Sequence, residues 1–172
     1  GSPVFVLGLL LWAALLAGRM RMKAALRATG RHVGEPTADD IGATVRAVAW
    51  TVLLALPWPL LLLLLAWQIG AAPQTTEFVR AVVISLEWVL RLLAPLEFFR
   101  CVCIPGGLAE VHFNWTAAAR QSLRRNLARL MLGFLSFGFV VALLVNFKQV
   151  ALTGGLGRVA LLGTIVAVGV FA

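Results

Sequence analysis

Long apolar stretches separated by short polar ones set the pattern of this chain. They fall at about 3–18, 47–70, 77–100, 127–147 and 159–172. A helix needs ~20 mostly apolar residues to cross a bilayer, so each stretch reads as a membrane-spanning helix or part of one. The first is short, and its helix is predicted to run on through Arg19, Arg21, Lys23 and Arg27 to Gly30 as the C′ residue. Thr37-Ala38-Asp39-Asp40 resembles a capping box that opens the second helix. Pro57 and Pro59 interrupt that helix inside its apolar part. Each lacks a backbone N–H, so a kink is expected there, set by packing or used as a hinge. A tight connection at 71–76, containing Pro73, then implies an antiparallel hairpin with the third span. The last stretch falls short of a full span, and the natural chain is expected to continue beyond it, as it is upstream of the first.

The third span carries charges inside its apolar pattern: Arg80, Glu87, Arg91 and Glu97. Arg80, Ile84, Glu87 and Arg91 form one helical stripe, and Glu87 and Arg91 are an i,i+4 pair in the favourable order. Charge at membrane depth is costly unless paired, so the stripe is expected to face protein or water. It serves either as an ion pathway or as an ion pair that fixes packing. Pro95 frees the carbonyl of Arg91 and predicts a further kink.

Between the third and fourth spans lies a polar elbow, 101–126. Pro105 stops the helix, and Gly106 and Gly107 allow backbone angles closed to other residues, so the segment is expected to tilt against the third span. Asn114 or Thr116 is the expected N-cap of an amphipathic run. On one side of that run lie Ala119, Leu123, Leu127 and Leu130; Arg120, Arg124, Arg125 and Arg129 are assigned to the other. Trp115 is placed to anchor at a membrane interface. The run reads as a helix on the inner leaflet, or else as an ordinary basic loop.

Composition fixes the class. Hydrophobic residues make up 61% and charged residues 13%, against roughly 45–50% and about 25% in soluble domains. The expected fold is all-α: a polytopic transmembrane helix bundle of about five spans, the last incomplete, with an interfacial amphipathic helix. It is a single transmembrane domain, 1–172, in a larger chain. A net charge of +8 would suit nucleic acid, but no RNA- or DNA-binding module is present. The basic residues cluster beside the spans, where they meet anionic headgroups. The first connection holds Arg19, Arg21, Lys23, Arg27, Arg31 and Arg46, and the third Arg100, Arg120, Arg124 and Arg125. The second has no cation before Arg80. The first and third connections are therefore expected in the cytoplasm and the N-terminus in the periplasm. The charges follow the first apolar stretch, the wrong order for a secretory signal.

No catalytic set is visible. His32 and His112 both fall in connections, and His112, beside Phe113 and Trp115, reads as an interfacial packing residue. Cys101 and Cys103 are too few and too close for a disulfide framework or a zinc site, and no cofactor is expected. Asn114-Trp115-Thr116 matches a glycosylation sequon, made accidental by its cytoplasmic side. The Gly-rich 154–157 follows no strand and is not a nucleotide fingerprint.

Several motifs together carry a resemblance. They are Leu96-Glu97-Phe98-Phe99-Arg100, Cys103, Pro105-Gly106-Gly107-Leu108-Ala109-Glu110, His112-Phe113, Trp115 and Leu123-Arg124-Arg125-Asn126-Leu127, with Leu56-Pro57-Trp58-Pro59-Leu60 upstream. The chain resembles the inner-membrane region of the large bacterial MscS-type mechanosensitive channels, the potassium-dependent and miniconductance branch. The resemblance implies a channel opened by membrane tension that releases ions and osmolytes on hypo-osmotic shock. It also implies a periplasmic N-terminal region, sensor-like helices, a pore helix, a cytoplasmic vestibule and a homo-heptamer in the bacterial inner membrane. Ile104 departs from the family pattern, which has a basic residue there. No Gly/Ala-rich pore helix or β-rich vestibule follows, so this segment is expected to be the peripheral, lipid-contacting array. The other class of function consistent with the residues is half of a secondary transporter with Glu87 and Arg91 as a coupling pair.

Overall fold

The computed structural model describes residues 3–29, 40–73, 76–111 and 113–147, with helical positions scattered between 159 and 169. Gly30, His32, the capping sequence at 37–39, His112 and the loop at 154–157 lie outside the described residues. All regular structure among the described residues is helical.

Helix α1, Pro3–Thr29, has 27 residues, about 40 Å at 1.5 Å per residue. It therefore outruns a ~30 Å hydrocarbon core, as expected of an apolar stretch continued by a basic one. Helices α2, Asp40–Ala55, and α3, Pro57–Gly70, meet at Leu56 with a bend of 47°. The bend follows from the chemistry of Pro57 and Pro59, which cannot donate to the carbonyls one turn back. Leu56 N still donates to Val52 O at 3.0 Å, and Leu60 N to Leu56 O at 2.9 Å, so the ladder resumes on either side. Both proline rings are buried; the bend is packed, not open to water.

Helix α4, Glu77–Val102, starts at an N-cap, Thr76, whose hydroxyl accepts the Val79 N–H at 3.3 Å. It runs unbroken through Pro95, which lies on its exposed side. Its inward row is Ala81, Ser85, Val89, Leu93, Glu97 and Cys101, the i,i+4 repeat of one helix face. Small residues at the head of that row let α3 and α7 come close. The Ser85 hydroxyl bonds the Ala81 carbonyl at 2.7 Å, and Thr51 bonds Ala47 at 2.7 Å. Two buried hydroxyls are thus satisfied without water.

A short α5, Leu108–Val111, leads to α6, Ala117–Leu130, a π-helical turn, Met131–Leu135, and α7, Ser136–Phe147. The last three are one rod. A single helix of 30 residues, Ala117–Asn146, is apolar and long enough to cross a membrane. The sequence reading separated the amphipathic elbow helix from the fourth span at about 127; nothing interrupts the backbone there. Gly138 lets α7 approach α4 closely, since a Cβ there would lie 2.7 Å from the Trp88 ring.

Two described helices meet the length and apolarity of a span, Pro3–Ala28 and Ala117–Asn146, and a third if the bent α2–α3 pair counts as one. Helix α4 is long enough, but Arg80, Glu87, Arg91 and Glu97 dilute its apolar run. The main core gathers Leu26 of α1, Ala47, Leu54 and Ala55 of α2, Cys101 of α4, and Ile104 and Leu108 of the elbow. It sits where the elbow closes onto the ends of α1 and α2.

The charged stripe lies on the outer side of α4. Arg91 and Glu87 do pair, at 3.6 Å, but their side chains are 75% and 47% exposed, and Arg80 is exposed too. Among the described residues none is packed inside the bundle, and Arg80 borders a shallow pocket with Gly70 of α3. The physical reason is the small-residue row of Ala81 and Ser85, which takes the packed side of α4 and turns the stripe outward.

Candidate functional site

The elbow is built from its glycines outward. The cap of α4, Cys103, returns its N–H to Phe99 O at 3.3 Å. Gly106 then takes φ 73°, the left-handed region that glycine enters without penalty. Gly107 is required by space: an added Cβ would lie 2.7 Å from Ile104 O and 3.2 Å from Val102 O, both rigid backbone atoms. Gly107 N donates to Ile104 O at 2.8 Å, and Trp115 N reaches back to Ala109 O at 2.9 Å. Thr116, not Asn114, is the N-cap of α6, its hydroxyl accepting Ala119 N–H at 3.3 Å. Asn114 instead has φ 51° at the turn before it.

Glu110 locks these pieces together. Its Oε2 accepts the Gly106 N–H at 2.7 Å and pairs with Arg120 Nη1 at 2.8 Å. Arg120 also donates Nε–H to Trp115 O at 3.2 Å. One carboxylate therefore joins the left-handed turn to the first turns of α6. Arg27 of α1 closes the outside, its Nε 3.5 Å from Pro105 O and its Cγ 2.7 Å from where a Gly106 Cβ would sit. The tilting hinge expected from Pro105-Gly106-Gly107 is instead a hydrogen-bonded corner.

Arg120 corrects the assignment of the basic face. Its side chain is only 9% exposed, and it shares a side with Leu127, which is buried. Seven residues are nearly two full turns, so the two lie in register. A buried guanidinium needs a counter-ion, and Glu110 supplies it. Of the other predicted elbow residues, Leu123 and Arg124 are half-buried, and Pro105, Trp115 and Arg125 are exposed. Phe113 stands exposed beside Trp115. Burial pushes the Cys103 thiol above its ordinary value, against the pull of Arg120 and Arg124. Cys101 and Cys103 are both free and buried.

Just before the elbow is a charge cluster that the sequence reading did not single out. Glu97 is fully buried. Arg100 grips it bidentately, Nε to Oε2 at 2.7 Å and Nη2 to Oε1, and Arg19 of α1 approaches Oε1 to 3.8 Å. Glu97 and Arg100 stand at i,i+3, a spacing visible in the sequence, but their third partner comes from α1. On the other flank, a cleft of about 480 Å³ between α3, α4 and the π-helical turn is lined by Trp58, Leu61, Leu93, Glu97, Arg100 and Met131. Its wall is apolar except at this ion pair and Ser136.

The comparisons with known proteins bear on the whole of this architecture. The family described as mechanosensitive ion channel inner membrane domain 1 matches residues 2–172. Over 145 residues the chain is 30% identical to the miniconductance mechanosensitive channel MscM of Escherichia coli strain K12. That similarity covers 77% of this chain and 12% of the relative, so the chain spans a small part of that protein's length. No solved structure matches the chain.

Proposed function

The chain belongs to the mechanosensitive ion channel inner membrane domain family, and from that premise we propose that it forms peripheral, lipid-contacting helices that pass membrane tension to a pore. The family match across nearly the whole chain carries this reading. The surface supports it: Leu7, Leu10 and Leu11 of α1, Leu63 and Trp67 of α3, and Val140 and Val145 of α7 are exposed apolar residues suited to lipid tails. The pore, the release of ions and osmolytes on hypo-osmotic shock and the homo-heptameric assembly belong to the full-length protein in this reading. The apolar cleft beside Glu97 suits an acyl chain. Nothing favours the transporter half, whose coupling pair Glu87–Arg91 stands at the bundle's surface.

The elbow is the coupling element. Because Glu110 locks its corner to α6, movement of α6 and α7 is transmitted to α4 without a slack joint. Phe113 and Trp115 project from that corner and hold it at the inner leaflet, where Trp is favoured. Replacing both, Phe113→Ser with Trp115→Ser, is expected to shift the tension at which the full-length channel opens. Single-channel conductance should stay the same, because the pore lies elsewhere. Patch-clamp recording in liposomes reads both quantities; an unchanged threshold with altered conductance would place the elbow on the permeation route instead.

We place five spans in the membrane with a periplasmic N-terminus, at 3–18, 47–70, 77–100, 127–147 and 159–172. The Lys/Arg asymmetry supports this orientation. Single cysteines His32→Cys, Gln74→Cys and Gly155→Cys, in a background with Cys101→Ala and Cys103→Ala, test it. An impermeant thiol reagent applied to spheroplasts should label positions 74 and 155 only. Labelling at 32 from outside inverts the topology.

A further inference from the structure

We infer that Arg19, Lys23, Arg100 and Arg124 form a binding site for a phosphate group, carried by an anionic lipid headgroup or by a soluble ion. The four cations come from three helices, α1, α4 and α6, and line one cavity of about 160 Å³ closed by Cys101 and Ile104. A single water needs roughly 15 Å³ by this kind of measure, so the space admits a tetrahedral oxyanion.

Among the described residues the charge at this site is not balanced. Glu97 is the one carboxylate that pairs with any of the four among the described residues. Arg100 holds it in two hydrogen bonds, while Arg19 reaches it only at 3.8 Å. Lys23 and Arg124 pair with no described carboxylate. Arg19 also keeps a buried Nε–H with no acceptor. A buried donor without a partner is rare in folded proteins and marks the place of a missing acceptor. Four cations facing one described carboxylate leave a surplus of three positive charges among the described residues. A phosphate oxyanion supplies both the charge and the acceptors, and guanidinium groups match its geometry.

The position gives the site a consequence. It joins the basic end of α1 to the last turn of α4 and the middle of α6, the helices on either side of the Pro105-Gly106-Gly107 corner. A bound phosphate therefore clamps α1 to both arms of the corner. The site itself rests on this geometry alone; only its lipid-headgroup form rests on the membrane reading above, so phosphate binding would survive failure of the channel reading.

The test uses the full-length protein, purified in detergent and stripped of lipid. One arm titrates phosphatidylglycerol against phosphatidylcholine and counts retained lipid by native mass spectrometry. The other measures binding of radiolabelled inorganic phosphate by equilibrium dialysis. Lys23→Gln with Arg124→Gln removes the two cations that have no protein partner, and Arg129→Gln, exposed on the same helix and outside the cavity, is the control. Saturable binding in either arm, weakened about tenfold or more by the double variant, or ~1.4 kcal/mol, and unchanged in the control, establishes the site. Binding in the lipid arm alone identifies a headgroup, and binding in the phosphate arm identifies a soluble anion. Absence of binding in both arms, or equal loss in the control, overturns it. If the double variant fails to fold, Lys23→Gln alone must still weaken binding, or the inference is wrong.

Discussion

Replacing Glu97 by leucine is expected to destabilise the folded protein by about 3–5 kcal/mol. Glu97 is fully buried and neutralises Arg100 at hydrogen-bond distance with Arg19 beyond it. Removing the carboxylate leaves a guanidinium partly buried among apolar side chains with no counter-ion. The cost of that orphaned charge exceeds the gain from one more apolar group. Glu97→Gln should fall between, because the amide keeps one acceptor for Arg100 but loses the charge. The double change Glu97→Leu with Arg100→Leu should be milder than Glu97→Leu alone, since an apolar pair can replace a buried ion pair at little cost. Thermal unfolding of the detergent-solubilised full-length protein, followed by light scattering, orders the variants. If Glu97→Leu melts with the wild type, or the double variant is the worst of the three, the cluster is not the constraint described.

Glu110→Ala is expected to cost roughly 1.5–3 kcal/mol, the range for hydrogen bonds to charged groups, and to loosen the corner. Glu110 is half-exposed, but its partner Arg120 is 9% exposed. The loss falls on a buried cation and on the Gly106 N–H that Glu110 accepts. Hydrogen exchange should show it locally: amides of 106–120 lose protection, while those of α3 and the middle of α4 do not. Glu110→Gln retains an acceptor for Gly106 and should restore part of that protection. Uniform loss across α3 and α4 would mean general unfolding, and no change at 106–120 would remove Glu110 from the lock. Under the proposed function, the slackened corner is expected to raise the tension at which the full-length protein opens.

Those two carboxylates mark where reading the chain stopped. Glu87–Arg91 and Glu97–Arg100 look alike in sequence, each an acid followed by an arginine within one helical turn. One is exposed and the other buried. The difference arises from helix rotation, set by the row of Ala81, Ser85, Val89 and Leu93, and from Arg19, which is distant in sequence. Periodicity within α4 displays the row, but not which face packs inward, nor the approach of Arg19. Arg120 went astray for a related reason. Its assignment to a lipid-facing basic side treated all arginines of the run as equivalent, whereas Glu110 gives this one alone an inward partner.

What the sequence determined by itself is whatever rests on local chemistry. Hydropathy gave a helical membrane bundle, because no other structure of such apolar stretches satisfies its backbone in lipid so simply. The missing N–H groups of Pro57 and Pro59 gave the bend at Leu56, and the candidate capping residues Asn114 and Thr116 gave a helix start, since caps and proline breaks act within one turn. Pro105-Gly106-Gly107 gave the corner. The tertiary structure decided whether that corner swings or holds, because the answer depends on a carboxylate at 110 meeting a guanidinium at 120. It decided which charges are buried, because burial is a property of how helices rotate against each other. It also gathered the four cations of α1, α4 and α6 around one cavity, since convergence of separate helices is set by packing of their apolar faces and leaves no trace in the spacing of the charges.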